Sequence, residues 1–192
     1  MEAALSRRRH LAPASKEHCT AEEEVHAGLV SLLPRLWRYG LVLSGQRDVA
    51  EDLVQATCVR AMERALQFLP GTRLDRWLFS ILHSIWVDEV RARKVRFGGG
   101  LVEPESALVM DGEGKIETHV LVNQTLRLVD ALPITQRNAV FLAYVEGLSY
   151  QEVAEVLNIP VGTVMSRLAN ARARLAEMVE IGQSLVQADR RI

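Results

Sequence analysis

Residues 148–174 run LSYQEVAEVLNIPVGTVMSRLANARAR, and their punctuation is the strongest structural signal in the chain. Ser149 stands three residues before Glu152, the reciprocal pattern that opens a helix. Asn158 suits the left-handed conformation in which helices end. Pro160 then opens a second helix. A short helix, a turn of three to four residues and a second helix form a helix-turn-helix. Val153, Leu157, Ile159, Val164 and Leu168 fall on its inner face, and the small Ala154 sits where the helices cross. That leaves Met165, Ser166, Ala169, Asn170 and Ala173 facing outward, flanked by Arg167, Arg172 and Arg174, with no acidic residue between Val161 and Leu175. Ser166 and Asn170 can hydrogen-bond base edges, while arginines hold phosphate oxygens. Only three arginines imply modest intrinsic DNA affinity, because each neutralised phosphate adds one counterion-release term.

Outward from this stretch, nearly everything from Glu22 on reads as helix. Val25, Leu29, Leu32 and Leu33 recur at helical spacing, and Pro34 reads as the first residue of a new helical stretch carrying Leu36, Trp37 and Leu41. Asp48 and Glu51 form a second capping pattern, after which Val49, Leu53, Thr57 and Ala61 share a face. Pro70-Gly71 is a turn. A third helix is expected over about 75–93 and a fourth over 118–131. Pro133 starts a fifth that Gly147 closes, and the last should run to about Val179. No segment alternates as a strand would. The expected fold is all-α: two small helical bundles joined by a flexible linker, the second containing the helix-turn-helix.

Charge divides the chain the same way. Residues 25–97 carry 11 basic and 7 acidic groups, whereas residues 98–130 carry 2 and 6. Gly98-Gly99-Gly100, Pro104, Gly112 and Gly114 lie in the acidic block, the composition of a tether rather than of a loop inside one compact domain. The resulting partition is an arm (1–21), a first domain (22–96), an acidic linker (97–117), a second domain (118–179) and a tail (180–192).

The overall balance of 23 basic against 24 acidic residues does not by itself advertise a nucleic-acid binder. Two cysteines, Cys19 and Cys58, exclude a disulfide scaffold and a Cys-rich zinc module. No apolar run approaches the roughly 18 residues of a membrane span, and no apolar stretch follows Arg7-Arg8-Arg9 as an export signal requires. These features point to a reducing, cytoplasmic location without membrane insertion. His83, Asp88 and Glu89 are the compact His/carboxylate group worth testing as a metal site, but positions 83 and 88 do not align on a helix. No nucleophile with a paired base and no phosphate-cradling glycine loop is present, so neither an enzyme nor a cofactor is expected.

In the first domain, Arg91, Arg93, Lys94 and Arg96 gather at the end of the third helix, where cations also suit the helix dipole. Trp77, Phe79 and Trp86 lie on or near the same helix. Aromatics beside cations suit unstacked bases, although Trp77 and Trp86 read better as core. Asp48, Glu51, Asp52 and Gln55 make an acidic, polar face on the second helix, solvated or suited to docking on a basic partner.

Taken together, these motifs resemble bacterial RNA polymerase sigma factors of the extracytoplasmic-function group of the sigma-70 family. DVAEDLVQ (48–55) resembles the family's core-polymerase docking segment. PGTRLDRWLF (70–79) resembles its promoter-melting loop and the helix after it, and VDEVRAR (87–93) the end of its −10 recognition segment. Leu132-Pro133, GLSYQEVA (147–154) and the run from Ile159 to Arg174 resemble its −35-binding domain. The resemblance implies a transcription initiation factor that binds core RNA polymerase through its beta and beta-prime subunits, directs it to promoter DNA and melts the duplex. An anti-sigma factor is an implied inhibitor.

Carried over residue by residue, core binding falls to Asp48, Glu51, Asp52 and Gln55. The −10 element and melting fall to Arg73, Arg76, His83, Ser84, Arg91, Arg93 and Lys94. The −35 element falls to Thr163, Met165, Ser166, Arg167, Asn170, Arg172 and Arg174. Met165 stands where the family often has a basic residue, and His83-Ser84 where it often has Arg-Asn, which implies an altered promoter consensus. The alternative is a helix-turn-helix regulator that does not associate with polymerase as a subunit.

Overall fold

The structure, a computed structural model, describes residues 20–96 and 129–189, without the side chains of 94 and 180–189. Among them six α-helices and no strand are found: α1 (Ala21–Ser44), α2 (Arg47–Glu63), α3 (Leu74–Arg96), α4 (Ile134–Val140), α5 (Tyr150–Leu157) and α6 (Val161–Asp189). The expected arm before residue 20 and the expected linker lie outside the described residues. So does most of the helix expected over 118–131.

Helix α1 opens on a capping box the sequence reading passed over. Glu23 accepts from the Thr20 amide at 2.8 Å, and Thr20 Oγ1 accepts from the Glu23 amide at 3.3 Å. Pro34 does not begin a new helix; it lies inside α1. Proline removes the bond to the carbonyl four residues earlier. That residue, Val30, is 71% exposed, so the loss falls on the wet side of the helix.

Gly45 ends α1 at φ 70°, and α2 begins two residues later with Gln46 as its uncapped N-cap. The expected Asp48–Glu51 cap is therefore not formed. The short turn starts α2 too early for Asp48 to stand outside it, and Asp48 instead places its charge in the first turn, where the dipole favours it. A connection this short makes α1 and α2 antiparallel neighbours. They cross at Gly40, where an added Cβ would lie 3.2 Å from Ala50 Cα. Leu53, Thr57 and Ala61 are buried on the inner face of α2, as their spacing requires.

In the second bundle, α4 widens into one π-helical turn over Phe141–Val145, with the Glu146 amide bonding back to Phe141 O at 3.0 Å. Gly147 at φ 70° turns the chain into α5. The Ser149–Glu152 capping box forms with both bonds, and Asn158 ends α5 at φ 53°. Val153, Leu157, Val164 and Leu168 are buried and Ile159 is partly so. The helix-turn-helix is thus built as its sequence reads, with α6 extending ten residues past Val179 to Asp189.

The two bundles pack on one another through a shared core. Tyr39 of α1 is fully buried; its ring meets Phe79 of α3 edge-on at 5.5 Å and stacks on Phe141 of the second bundle at 5.6 Å. Its hydroxyl lies 3.1 Å from His83 Nδ1. Burial raises the phenol's pKa, so Tyr39 keeps its proton and the phenol and imidazole share one hydrogen bond. Burial, and secondarily the charge of Arg167, pushes His83 down to about 4.

Two measurements check this packing. Gly40→Val should lower stability by about 1–3 kcal/mol, because the α1–α2 crossing has no room for branched carbon; urea unfolding at neutral pH reads it. His83 is held neutral in the folded state, so its contribution is complete above its unfolded pKa of about 6.5 and is lost as pH falls from there to about 4. The loss amounts to at most about 3 kcal/mol. His83→Gln, which keeps an acceptor for Tyr39, should flatten the fall in urea midpoint between those pH values relative to the native chain.

Candidate nucleic-acid and polymerase interface

Along α2, the positions that are not core line up as one surface. Asp48, Glu51, Asp52 and Gln55 are all exposed. Helical spacing places Val59 and Met62 on the same side, 52% and 47% exposed. No ion pair among the described residues uses the three carboxylates of this surface. The acidic strip runs into an apolar one along the same face of α2. The sequence reading found its acidic half; Val59 and Met62 were detectable only as apolar residues one turn further along the same face.

The loop before α3 brings the next group together. Arg73 Nη2 donates to Asp75 at 2.8 Å, and Arg35 of α1 reaches the same carboxylate at 2.9 Å. Burial works against the Asp75 charge, but hydrogen bonds from Arg73, the Arg76 amide and Arg35 outweigh it and hold its pKa at about 2. Arg73 and Arg76 also reach across to α5, where Arg73 Nη1 lies 3.2 Å from Glu152 and Arg76 Nη1 lies 3.0 Å from Glu155. A cavity of about 310 Å³ opens beside them, walled by Phe68, Trp77 and Arg76 from the first bundle and by Glu155 and Val156 from α5.

Other residues expected at the −10 element are distributed differently. Ser84 is exposed, but His83 is 6% exposed and belongs to the interior beneath the second bundle. A surface role for His83 is not available in this arrangement, because its ring completes the Tyr39 hydrogen bond. Arg91 lies 3.6 Å from Asp88, and Arg93 donates to Glu89 at 2.7 Å while its guanidinium sits 5.5 Å over the Trp86 ring. The basic end of α3 is therefore partly neutralised by its own helix. Trp86 and Phe79 are core and Trp77 is half-buried, as its packing at 5.4 Å on Phe68 explains. The Lys94 side chain lies outside the described ones.

On α6, Met165, Ser166, Asn170, Arg172 and Arg174 are exposed together, and Thr163 is half-exposed. Ser166 Oγ donates back to Thr163 O at 2.9 Å. Arg167 is half-buried, and its charge adds to burial in lowering the His83 pKa. Exposed Tyr144 and Tyr150 stand beside Arg172. Their mutual hydrogen bond raises the Tyr144 pKa and the guanidinium works against that rise. These phenols add polar groups beside the exposed face of α6 and carry no helix-turn-helix signal of their own in the sequence. Among the described residues no group of three or more His, Cys, Asp or Glu side chains could hold a metal ion. No helix there is long and apolar enough to cross a membrane.

The family model "Sigma-70 region 2" matches residues 29–96, and "Sigma-70, region 4" matches residues 123–175. The chain is 30% identical over 153 residues to the ECF RNA polymerase sigma factor EcfG of Rhodopseudomonas palustris, covering 80% of this chain and 83% of that protein. It is 26% identical over 169 residues to the sigma factor SigW of Bacillus subtilis, covering 82% and 90%. Among solved structures, the sigma factor RpoE of Bartonella quintana, in complex with the anti-sigma factor NepR, is similar with a TM-score of 0.64 at 27% identity. That likeness covers 83% of this chain and 98% of the other. The fold is also that of CnrH, solved with the cytosolic domain of CnrY, at a TM-score of 0.55 and 21% identity. With both family models matched in chain order and a relative aligned over four-fifths of its length, this chain belongs to the extracytoplasmic-function sigma factors and is an alternative sigma factor of the sigma-70 family.

Proposed function

We propose that the chain divides its work between two units, residues 22–96 and 118–179, joined through residues 97–117. The α2 face of Asp48, Glu51, Asp52, Gln55, Val59 and Met62 docks on the beta-prime subunit of core RNA polymerase. The loop at Arg73 and Arg76, with Ser84 and the basic end of α3, engages the −10 element as it opens. The outer face of α6 reads the −35 element in the major groove. The observation that carries this reading is the acid-free outer face of α6, exposed from Met165 to Arg174 while Val164 and Leu168 pin the helix from beneath.

The physical division follows from what each surface can do. Asn170 and Ser166 offer short polar groups to base edges, and Arg172 and Arg174 are placed for phosphates. Few cations make this unit a weak binder on its own, so binding to polymerase supplies the second anchor and an effective concentration. Unstacking a base costs a few kcal/mol; the cavity beside Phe68 and Trp77 offers an aromatic seat where that cost is offset. The complex of RpoE with an anti-sigma factor supports a protein inhibitor of the same kind here.

Run-off transcription with purified core polymerase and a genomic library, followed by start-site mapping, tests the whole reading. A consensus departing from the family's commonest motif is expected. Asp52→Arg should weaken core binding without changing −35 duplex binding, and an unchanged polymerase complex would remove the docking assignment. Arg172→Ala should weaken −35 binding across sequences and lower its salt slope by about one. Loss of core binding in that variant would contradict the division of labour.

A further inference from the structure

The loop before α3 is held from outside by the start of α1. Leu69-Pro70-Gly71-Thr72 folds as a tight turn. The Thr72 amide bonds to Leu69 O at 3.2 Å, and Thr72 Oγ1 donates to the same oxygen at 2.7 Å. Gly71 takes φ 77°, and an added Cβ would meet nothing within 4 Å, so glycine is there for its backbone angle and not for space. The turn's own bond leaves the Gly71 N–H unused. It donates to Glu24 Oε2 at 3.0 Å, across 47 positions of the chain. One turn along α1, Gly28 lies directly against Leu74, the first residue of α3, and an added Cβ there would collide with Leu74 Cδ2. One polar and one apolar fastening therefore bracket Arg73. The Arg73 side chain is oriented in turn by its fork on Asp75, at 3.1 and 2.8 Å.

We propose that Glu24 is a positioning residue for promoter opening: it fastens the Gly71 amide, so that Arg73 and the exposed Leu69 are in place when the −10 strand leaves the duplex. This rests on the assignment of that loop to strand opening. The helix dipole favours acids in the first turn of α1 generally. Glu23 serves the Thr20 cap and Glu22 is exposed, whereas Glu24 is half-buried and reaches the loop. No ion pair among the described residues uses Glu24. A carboxylate's charge repels phosphates, so what Glu24 offers strand opening is its acceptor. A strand that had to order a loose Pro-Gly turn would lose that entropy from its own binding. The bond from α1 meets this cost in the folding of the chain, before DNA arrives.

The test uses holoenzyme assembled from the full chain and core polymerase, on a duplex promoter found by start-site mapping. Glu24→Ala should slow opening of the −10 region roughly three- to tenfold, read by permanganate reactivity of its thymines, with closed-complex affinity unchanged. Glu24→Gln, which keeps an acceptor and loses the charge, should open as fast as the native chain. Charge removal alone would ease strand binding in both variants, so the sign and the rescue separate positioning from electrostatics. In the free chain, exchange of the Gly71 amide, read by NMR, should quicken by a similar factor in Glu24→Ala and stay near native in Glu24→Gln. Native opening by Glu24→Ala would overturn the proposal. So would an equal loss of closed-complex affinity, a Glu24→Gln variant as slow as Glu24→Ala, or Gly71 exchange that Glu24→Ala leaves unchanged. Arg73→Ala in the same assay reads the loop assignment separately: unimpaired opening would remove that assignment, while Gly71 exchange still reports the hold of Glu24.

Discussion

Tyr39 holds the structure at its centre. It is fully buried on α1, edge-on to Phe79, stacked on Phe141 and bonded to His83, so one ring touches both bundles. Buried polar groups need partners, and the phenol finds its partner only because α3 presents a neutral imidazole one turn from Phe79. The same geometry brings Arg35, four residues before Tyr39 on the same face of α1, against Glu146. Packing and charge therefore arrive at the interface from one helical stripe.

This constraint orders the functional surfaces into two sets. The acidic face of α2 and the outer face of α6 are open and exposed. Arg73 and Arg76 instead pair across the interface with carboxylates of α5, Glu152 and Glu155.

Local features of the molecule were legible in the sequence because their causes are local. The helix-turn-helix follows from the Ser149–Glu152 cap, from Asn158 tolerating φ 53°, and from five inner-face apolar residues at the right period. Gly147 and the inner face of α2 were readable for the same reason. The misreadings arose where a neighbour mattered. Pro34 stays inside α1 because its lost bond faces solvent, which depends on which side of α1 packs. Asp48 is not a cap because the Gly45 turn starts α2 at Arg47. His83 and Ser84 carry the same −10 expectation, yet a single helical step separates the exposed Ser84 from the buried His83 under the second bundle.

The sequence by itself determined an all-α chain, its helix-turn-helix, the acidic face of α2 and the sigma-factor family, since periodicity, caps and motif order are short-range properties of the chain. Only the tertiary structure decided that the two bundles close on each other, that Arg35 meets Glu146 across 111 positions, and that Arg73 and Arg76 face carboxylates of α5. Those pairings join residues whose local surroundings look like ordinary solvated charge. Their partners are chosen by where an aromatic stack places a distant turn, which no local pattern encodes.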